Sequence, residues 1–212
     1  MKKKRVINYW ESFYKKKTNF KESTFAKFVY KKIKNKKLNG TLIDIGCGNG
    51  RDSVFFSKKN FKVLGIDIAK NAVKNELIYK KKKLTFKKFD IEKNTMSKKF
   101  DYIYSRFFLH AINDNTENKL IYLIRRLKKK NSYIFFEFRN HKDNIFRNKK
   151  IIKHNQILQF ENGHYRRIID PKKFIEKFFK KIKCKVIYNK SSKNLSVVKK
   201  DNPNLTRLIF KC

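Results

Sequence analysis

The sequence has no long apolar run and little cysteine. No stretch reaches the roughly 18 consecutive apolar residues that suggest a membrane-spanning helix, and the basic start, residues 1–5, is not followed by the apolar core of a signal peptide. Cys47, Cys184 and Cys212 are widely spaced and odd in number, which fits neither a disulfide framework nor a zinc site. We therefore expect a cytoplasmic protein with reduced thiols, no membrane span and no bound metal.

Acidic residues are also scarce. The chain has 17 Asp and Glu against 57 Lys and Arg, which gives a formal net charge of +40. Many nucleic-acid-binding proteins are strongly basic in the same way. Lysine is, however, spread over nearly every segment, and only 10 of the basic residues are the arginines that phosphate recognition favours. Together with 22 asparagines, this indicates drift toward A- and T-rich codons. A nucleic-acid partner remains the less favoured alternative, and the oligomeric state stays open.

Three of the six glycines alternate directly after an apolar, strand-like run at Thr41–Ile45. Gly46, Gly48 and Gly50 form the pattern G-x-G-x-G, whereas a dinucleotide site has G-x-G-x-x-G. Glycine tolerates positive φ and lets the backbone approach a bound molecule closely. The turn therefore predicts a nucleotide-like ligand other than NAD.

Strand and helix patterns alternate from residue 41 to residue 138, which predicts a parallel sheet with helices on both faces. Two amphipathic helices precede the sheet, and a polar segment at 139–169, long enough to suggest a functional loop, follows it. The predicted strands are 41–45, 61–67, 84–89, 100–105, 133–138, 184–188, 195–198 and 205–210. The predicted helices are 7–17, 23–36, 51–59, 68–81 and 114–129, with one more starting at Asp170-Pro171.

Carboxylates lie at successive strand ends. Asp44 precedes the glycine turn, Asp67 ends the second strand and Asp90 follows the third. The carboxyl ends of parallel strands share one edge, where ligands bind in doubly wound folds. Asp67 could accept hydrogen bonds from both ribose hydroxyls, and Asp90 could accept one from an adenine amino group. One such aspartate could equally be a helix cap, but three together indicate a site.

The chain resembles the class I S-adenosylmethionine-dependent methyltransferases at residues 42–50, 65–68, 89–91 and 100–105. The resemblance implies a Rossmann-like, doubly wound α/β fold with a mostly parallel seven-stranded sheet, a C-terminal antiparallel hairpin and N-terminal helices. We expect a single domain over 1–212, with a helical cap at 1–37, a cofactor-binding core at 38–140, and an acceptor loop and closing strands at 141–212. The implied cofactor is S-adenosyl-L-methionine.

The same resemblance implies the residues that hold the cofactor. The three glycines would lie against its methionine part, Asp67 at its ribose, Asp90 beside its adenine, and Asp44 near its amino group. The full implied set is Asp44, Gly46, Gly48, Gly50, Asp67, Ile68, Asp90, Ile91 and Ser105.

A looser resemblance, at 9–14, 105–112 and 163–167, points to small bacterial methyltransferases often linked to surface-polysaccharide biosynthesis. The candidate general base is His110, a few residues past the fourth strand, with His164 and Glu137 as alternatives; a structural role for His110 is an equal alternative. Tyr14 is a candidate substrate-binding residue. Arg106, Arg166 and Arg167 suit a phosphate or carboxylate on the acceptor, unless the last two are solvated surface.

These residues predict transfer of a methyl group to a hydroxyl or phosphate-bearing group of a small anionic acceptor, such as a sugar intermediate of surface-glycan biosynthesis. An RNA methyltransferase is the first alternative and a non-catalytic, cofactor-binding regulatory protein is the second. The residues at 105–107 differ from the Asn/Asp-Pro-Pro-Tyr motif of enzymes that methylate base amines, which disfavours that reaction.

Overall fold

A computed structural model describes residues 3–15, 21–36, 40–74, 83–146, 157–159, 165–197 and 201–212. The strands are β1 Thr41–Ile45, β2 Lys62–Asp67, β3 Leu84–Lys88, β4 Phe100–Arg106, β5 Lys128–Arg139, β6 Ile157–Gln159, β7 Tyr165–Arg167, β8 Lys185–Ser192 and β9 Leu205–Lys211. The α-helices are α1 Lys3–Lys15, α2 Thr24–Ile33, α3 Arg51–Lys58, α4 Lys70–Val73, α5 Asp114–Leu127 and α6 Pro171–Ile182.

Seven strands form one sheet in the order β3-β2-β1-β4-β5-β9-β8. The first five pair in parallel, whereas β9 runs antiparallel to both β5 and β8. The predicted Rossmann-like sheet with a C-terminal antiparallel hairpin is therefore confirmed. The chain leaves β1 toward β2 on one side and returns to β4 on the other, which opens a ligand crevice at the carboxyl ends of β1 and β4.

Helices cover both faces of the sheet because successive strand residues point to opposite sides. Leu42 belongs to the buried cluster beneath α2 and α3, and its neighbour Ile43 belongs to the cluster beneath α5 and α6. On the first face Phe25 stacks on Tyr104, with ring centroids 5.1 Å apart. On the second face Phe178 packs on Phe210 at 4.3 Å.

Two predicted helix starts are confirmed by their capping bonds. Ser23 precedes α2, and its side chain accepts a hydrogen bond from the backbone N–H of Ala26 at 3.0 Å. Asp170 precedes α6, where Pro171 is the first helical residue, and its carboxylate accepts from the N–H of Lys172 at 2.8 Å. Such caps satisfy N–H groups that have no partner within the helix.

The cysteine prediction is wrong, because the structure joins Cys184 and Cys212 in a disulfide. The sheet register explains the pairing: Lys185 lies opposite Lys211, which places the two adjoining cysteines beside each other at the open end of the β8–β9 hairpin. Sequence spacing alone could not show this proximity, because the pairing depends on how the two strands align. Cys47 is a free thiol.

The segment at 139–169 contains more structure than a loop. It includes a 3₁₀ turn at Asn144–Phe146 and the two strands β6 and β7, which pair as a separate antiparallel hairpin. The predicted strand at 195–198 is not observed at residues 195–197, and residue 198 lies outside the described residues. The helix predicted over 68–81 is described as α4 only, since residues 75–82 also lie outside them.

Among the residues that the structure describes, no helix is both long and apolar enough to cross a membrane. The same residues contain no cluster of three or more side chains that could hold a metal ion.

Candidate functional site

The glycine turn after β1 adopts backbone angles that favour glycine, with φ of 72° at Gly46, 55° at Gly48 and 73° at Gly50. A Cβ atom at Gly46 would lie 2.4 Å from the ring of Phe108, and one at Gly48 would lie 2.5 Å from the hydroxyl of Tyr14. The turn is therefore a cradle of bare backbone beneath two aromatic rings.

Asp67 ties this turn to the end of β2. One carboxylate oxygen accepts a hydrogen bond from the N–H of Gly48 and the other from the N–H of Ala69, both at 3.0 Å. Burial raises the pKa of Asp67, and the two backbone donors partly oppose that rise. Each oxygen keeps a further lone pair, so the carboxylate can still accept from a ligand hydroxyl.

Asp44 lies beneath the turn and is almost fully buried, with 2% exposure. Its carboxyl accepts a 2.6 Å hydrogen bond from the Ser53 hydroxyl. Burial, together with the nearby charge of Asp52, raises the pKa of Asp44 to about 8. At neutral pH the carboxyl is thus protonated, and a positively charged ligand group beside it would favour its ionised form.

Asp52, at the start of α3, joins three elements at the same edge. It accepts hydrogen bonds from the backbone N–H and the hydroxyl of Ser23 and from the hydroxyl of Tyr104, each at 2.7 Å. The start of α2 is thereby fixed against the glycine turn.

These groups line a cavity of about 710 Å³, a size usual for small-molecule sites. Helix α1 covers it with a set of aromatic side chains. Among the described residues that line it, six are acidic, three are arginines and none is a lysine. The charged ones are Asp44, Arg51, Asp52, Asp67, Asp90, Glu92, Arg106, Asp114 and Arg166.

The structure brings most of the predicted site residues to this cavity. The cofactor candidates that line it are Asp44, Gly46, Gly48, Asp67, Ile68, Asp90 and Ile91, and the other candidates are Tyr14, Arg106 and Arg166. His164 lies outside the described residues.

His110 does not line the cavity. Its ring is fully buried, and Nδ1 accepts a hydrogen bond from the backbone N–H of Arg139 at 3.1 Å. This contact ties the 3₁₀ turn at Leu109–Ala111 to the end of β5. This buried position fits the structural alternative for His110.

Glu137, an alternative base, is buried between two guanidinium groups. Arg106 Nε donates to one oxygen at 2.9 Å and Arg207 Nε to the other at 2.7 Å. Arg106 also donates to the Ser196 hydroxyl at 3.1 Å. Burial raises the pKa of Glu137, and the two guanidinium groups partly oppose that rise. Because both carboxylate oxygens already accept from arginines, this triad is an ion-pair network that holds Arg106 at the cavity wall.

Arg167 points away from the cavity, toward α5. It is 5% exposed, and its guanidinium pairs with the carboxylates of Asp114 and Glu117 on α5. Its neighbour Arg166 instead faces the cavity, 5.8 Å from the ring centroid of Trp10. Adjacent strand residues point to opposite sides, and this alternation decides which arginine faces the cavity.

Ser105 and Gly50, two of the residues expected to bind the cofactor, contact the elements that form the cavity. The Ser105 hydroxyl donates to the carbonyl of Ile45 at 3.0 Å and so joins β4 to β1. Gly50 begins α3, and a Cβ there would lie 2.4 Å from the ring of Phe86. Neither lines the cavity.

Sequence patterns did not single out several lining residues. These are mainly Cys47, Asn49, Phe108, Glu92 and the residues 113–116 at the start of α5. Asn113 caps that helix by accepting from the N–H of Thr116 at 2.8 Å, a motif that sequence can reveal. Its position at the cavity depends on the packing of α5, which sequence does not reveal.

Fold and cavity together define a class I S-adenosylmethionine-dependent methyltransferase. The glycine cradle, the carboxylate of Asp67 at the end of β2 and the acidic lining fit a cationic nucleoside cofactor at the crevice of a doubly wound sheet. The profile of the methyltransferase-domain family matches residues 18–188, and the chain belongs to this family. Its cofactor is S-adenosylmethionine.

Individual proteins that are similar to this chain are also described as methyltransferases. Protein 235L of Invertebrate iridescent virus 6, a proposed methyltransferase, is 38% identical over 76 residues, which are 34% of this chain and 27% of that protein. The match thus spans about a quarter of the viral relative.

The crystal structure of an S-adenosylmethionine-dependent methyltransferase from Anabaena variabilis is similar with a TM-score of 0.72 and 18% identity, over 98% of this chain and 93% of that one. A Burkholderia thailandensis 1,6-didemethyltoxoflavin-N1-methyltransferase, solved with its substrate and S-adenosylhomocysteine, has a TM-score of 0.66 and 10% identity, over 88% of this chain and 75% of that one. At these identities the similarity is one of fold.

Proposed function

We propose that this protein transfers a methyl group from S-adenosylmethionine to a small molecule bound between the glycine turn and helix α1. The observation that carries the proposal is the cavity itself, which contains the bare backbone of Gly46 and Gly48 on one side and the aromatic residues of α1 on the other. The cofactor supplies an electrophilic methyl group on a sulfonium; the protein has to hold that group in line with the acceptor.

The residues proposed for the cofactor divide by charge and position. Asp67 suits the ribose hydroxyls, because each oxygen is already oriented by a backbone N–H. Asp90 and Ile91 follow β3 and suit the adenine. Asp44 suits the amino group of the methionine part, since a cation there offsets the cost of ionising a buried carboxyl.

For the acceptor, we propose a small molecule with a hydroxyl or phosphate-bearing group, such as a sugar intermediate of surface-glycan biosynthesis. Arg166 supports an anionic acceptor, because it faces the cavity beside Trp10. Arg106 adds a second guanidinium at the wall, although Glu137 holds one of its edges.

Proton removal from a hydroxyl acceptor needs a base. Tyr14 does not serve as that base, because burial raises its pKa well above the usual value and its phenol stays protonated at neutral pH. The protonated phenol can instead donate a hydrogen bond. A nitrogen acceptor with a free lone pair needs less help from a base. We propose O-methylation on the basis of the sequence, so the experiment has to show whether the methyl group is transferred to an oxygen or to a nitrogen atom of the acceptor.

Calorimetric titration with S-adenosylhomocysteine tests the cofactor site, and a protein without measurable binding would refute the proposal. Isotopically labelled S-adenosylmethionine and a metabolite extract then test the acceptor: mass spectrometry should find a labelled methyl ether or ester on a product that anion exchange retains. A labelled N-methyl product, or one that is neutral, would overturn the acceptor proposal while leaving methyl transfer intact.

An RNA acceptor is the alternative that the net charge suggests. The cavity does not favour it, since the lysines that carry most of the net charge are absent from its described lining. Label that enters RNA and is released by ribonuclease would select this alternative. Cofactor binding without transfer to either pool would support the non-catalytic regulatory protein.

A further inference from the structure

Helix α1 covers the cavity and is joined to helix α4 by hydrogen bonds. It passes over the cavity with Trp10 and Tyr14 turned inward. The hydroxyl end of Tyr14 lies against Gly48, so closely that a Cβ there would be 2.5 Å from it. Between those two aromatic residues in the sequence is Glu11, which faces α4 instead.

Glu11 binds the start of α4 with both ends of its carboxylate. One oxygen accepts from the backbone N–H of Lys70 at 2.6 Å and the other from the N–H of Asn71 at 2.8 Å. The side-chain amide of Asn71 donates in return to the backbone carbonyl of Glu11 at 3.0 Å. Three hydrogen bonds thus join two elements that are 59 or 60 residues apart in the sequence.

The start of α4 needs such a partner. Its N-cap residue is Ala69, whose side chain has no oxygen and makes no capping bond. The first N–H groups of a helix have no acceptor within the helix, and a carboxylate there is favourable in charge as well. Asp67 accepts from Ala69, and Glu11 accepts from the two residues after it. Glu11 therefore provides from α1 the cap that the local sequence lacks.

The start of α4, which Glu11 caps, follows closely on Asp67, which we propose binds the cofactor. Asp67, which precedes it, holds the glycine turn through Gly48, and Tyr14 of α1 covers the same glycine. Helix α1 consequently contacts the cofactor loops at two points, through Glu11 at α4 and through Tyr14 at the turn. Loss of the Glu11 contact would remove the hydrogen bonds that join α1 to α4, and the aromatic side chains of α1, including Trp10 beside Arg166, would then have to keep it over the cavity.

We propose that Glu11 is a positioning residue that latches α1 over the bound cofactor. Glu11 does not line the cavity. It acts through α1, which closes the cavity, and through α4, which continues from Asp67. The proposal rests on the proposed cofactor site, and it predicts that the latch governs cofactor retention.

The ligand-free protein offers a direct test, because Trp10 is the single tryptophan of the chain and adjoins Glu11. Quenching of its fluorescence by acrylamide, a neutral probe, should be stronger in Glu11→Gln than in the wild type, since α1 then opens more often. Hydrogen exchange at Lys70 and Asn71 should accelerate in the same variant. Glu176→Gln, at an exposed position on α6, makes the same chemical change far from the latch and should alter neither measurement.

Cofactor binding is the second readout. Loss of an N-cap-sized contact should weaken S-adenosylhomocysteine binding roughly tenfold in Glu11→Gln, mainly through faster dissociation. Asn71→Ala removes only the reciprocal bond and should give a smaller change in the same direction, which serves as the test if Glu11→Gln does not fold. Wild-type quenching, exchange and affinity in both variants would overturn the latch. Absence of binding by the wild type would instead refute the proposed function, while the fluorescence of the ligand-free protein still decides the latch.

Discussion

At the scale of single residues, Asp44 is the group whose ionisation the fold changes most clearly. It is buried beneath the glycine turn, and its pKa is raised to about 8, whereas the ordinary value is 3.8. A folded-state pKa above the unfolded value means that the folded protein retains a proton that the unfolded chain releases. The associated stability is complete below pH 4 and is lost as the pH rises toward 8.

We expect the free energy of unfolding of the wild type to fall between about pH 4 and pH 8 relative to that of Asp44→Asn. The slope for one retained proton is at most about 1.4 kcal/mol per pH unit. Asparagine can still accept from Ser53 but does not titrate. Guanidinium unfolding across this range measures the difference, and parallel curves for the two proteins would contradict it.

Asp67 gives the residue-scale prediction for ligand binding. Asp67→Asn keeps the shape of the side chain but replaces one acceptor oxygen by a donor, which then opposes either the Gly48 or the Ala69 N–H. Hydrogen bonds to charged groups contribute roughly 1.5–3 kcal/mol, so affinity for S-adenosylhomocysteine should fall by about tenfold or more. Calorimetry measures it, and Asp201→Asn, at an exposed aspartate, is the matched control.

At the scale of elements, the Cys184–Cys212 disulfide joins the two strands of the β8–β9 hairpin at the end opposite their connecting loop, and its two cysteines are 28 positions apart in the sequence. The hairpin forms one edge of the sheet, and Arg207 of β9 belongs to the ion-pair network that reaches Arg106. A cross-link around a loop of this length restricts the unfolded chain and stabilises the fold.

Cys212→Ser should therefore lower the free energy of unfolding by about 3–4 kcal/mol under non-reducing conditions. The wild type with a strong reductant should resemble the variant, and the reductant should leave the variant unchanged. Chemical denaturation measures the stability, and mass spectrometry after alkylation counts the free thiols. Three alkylated thiols in the untreated wild type would show that the bond does not form in solution.

At the scale of the whole molecule, the net charge of +40 and the acidic cavity lining are separate features. The described lining contains no lysine, so the lysines of the described residues lie elsewhere on the molecule. A protein so positive attracts any polyanion through counterion release, without sequence preference.

We accordingly predict that the protein binds RNA of any sequence at low salt and loses roughly a thousandfold in affinity between about 50 and 200 mM salt. Saturating RNA should not compete with S-adenosylhomocysteine, since the two would occupy different surfaces. Fluorescence anisotropy of a labelled RNA measures the first and calorimetry in its presence the second. Sequence-selective RNA binding that persists at 200 mM salt would favour the RNA alternative.

Much of the fold could be predicted because its signals are local. The alternation of strands and helices, the glycine turn and the caps at Ser23 and Asp170 all depend on neighbouring residues. The carboxylates of Asp67 and Asp90 could be placed because parallel strands share one edge.

The sequence could not show where side chains point or which strands align. His110 is close to the cavity in sequence but is directed toward β5, and the difference between Arg166 and Arg167 depends on the orientation of a short hairpin. The pairing of Cys184 with Cys212 required the register of β8 and β9. Such features arise from long-range packing, which one sequence does not encode in a readable pattern.

The hairpin of β6 and β7 lies outside the main sheet, and its position has an evolutionary consequence. Arg166 faces the cavity and Arg167 faces α5 only because of the two-residue period of a strand. An insertion or deletion of a single codon just before β7 would change which side chain faces the cavity, without altering any residue of the glycine cradle. On the proposed role of Arg166, one mutational step could thus change the acceptor while the cofactor site stays the same.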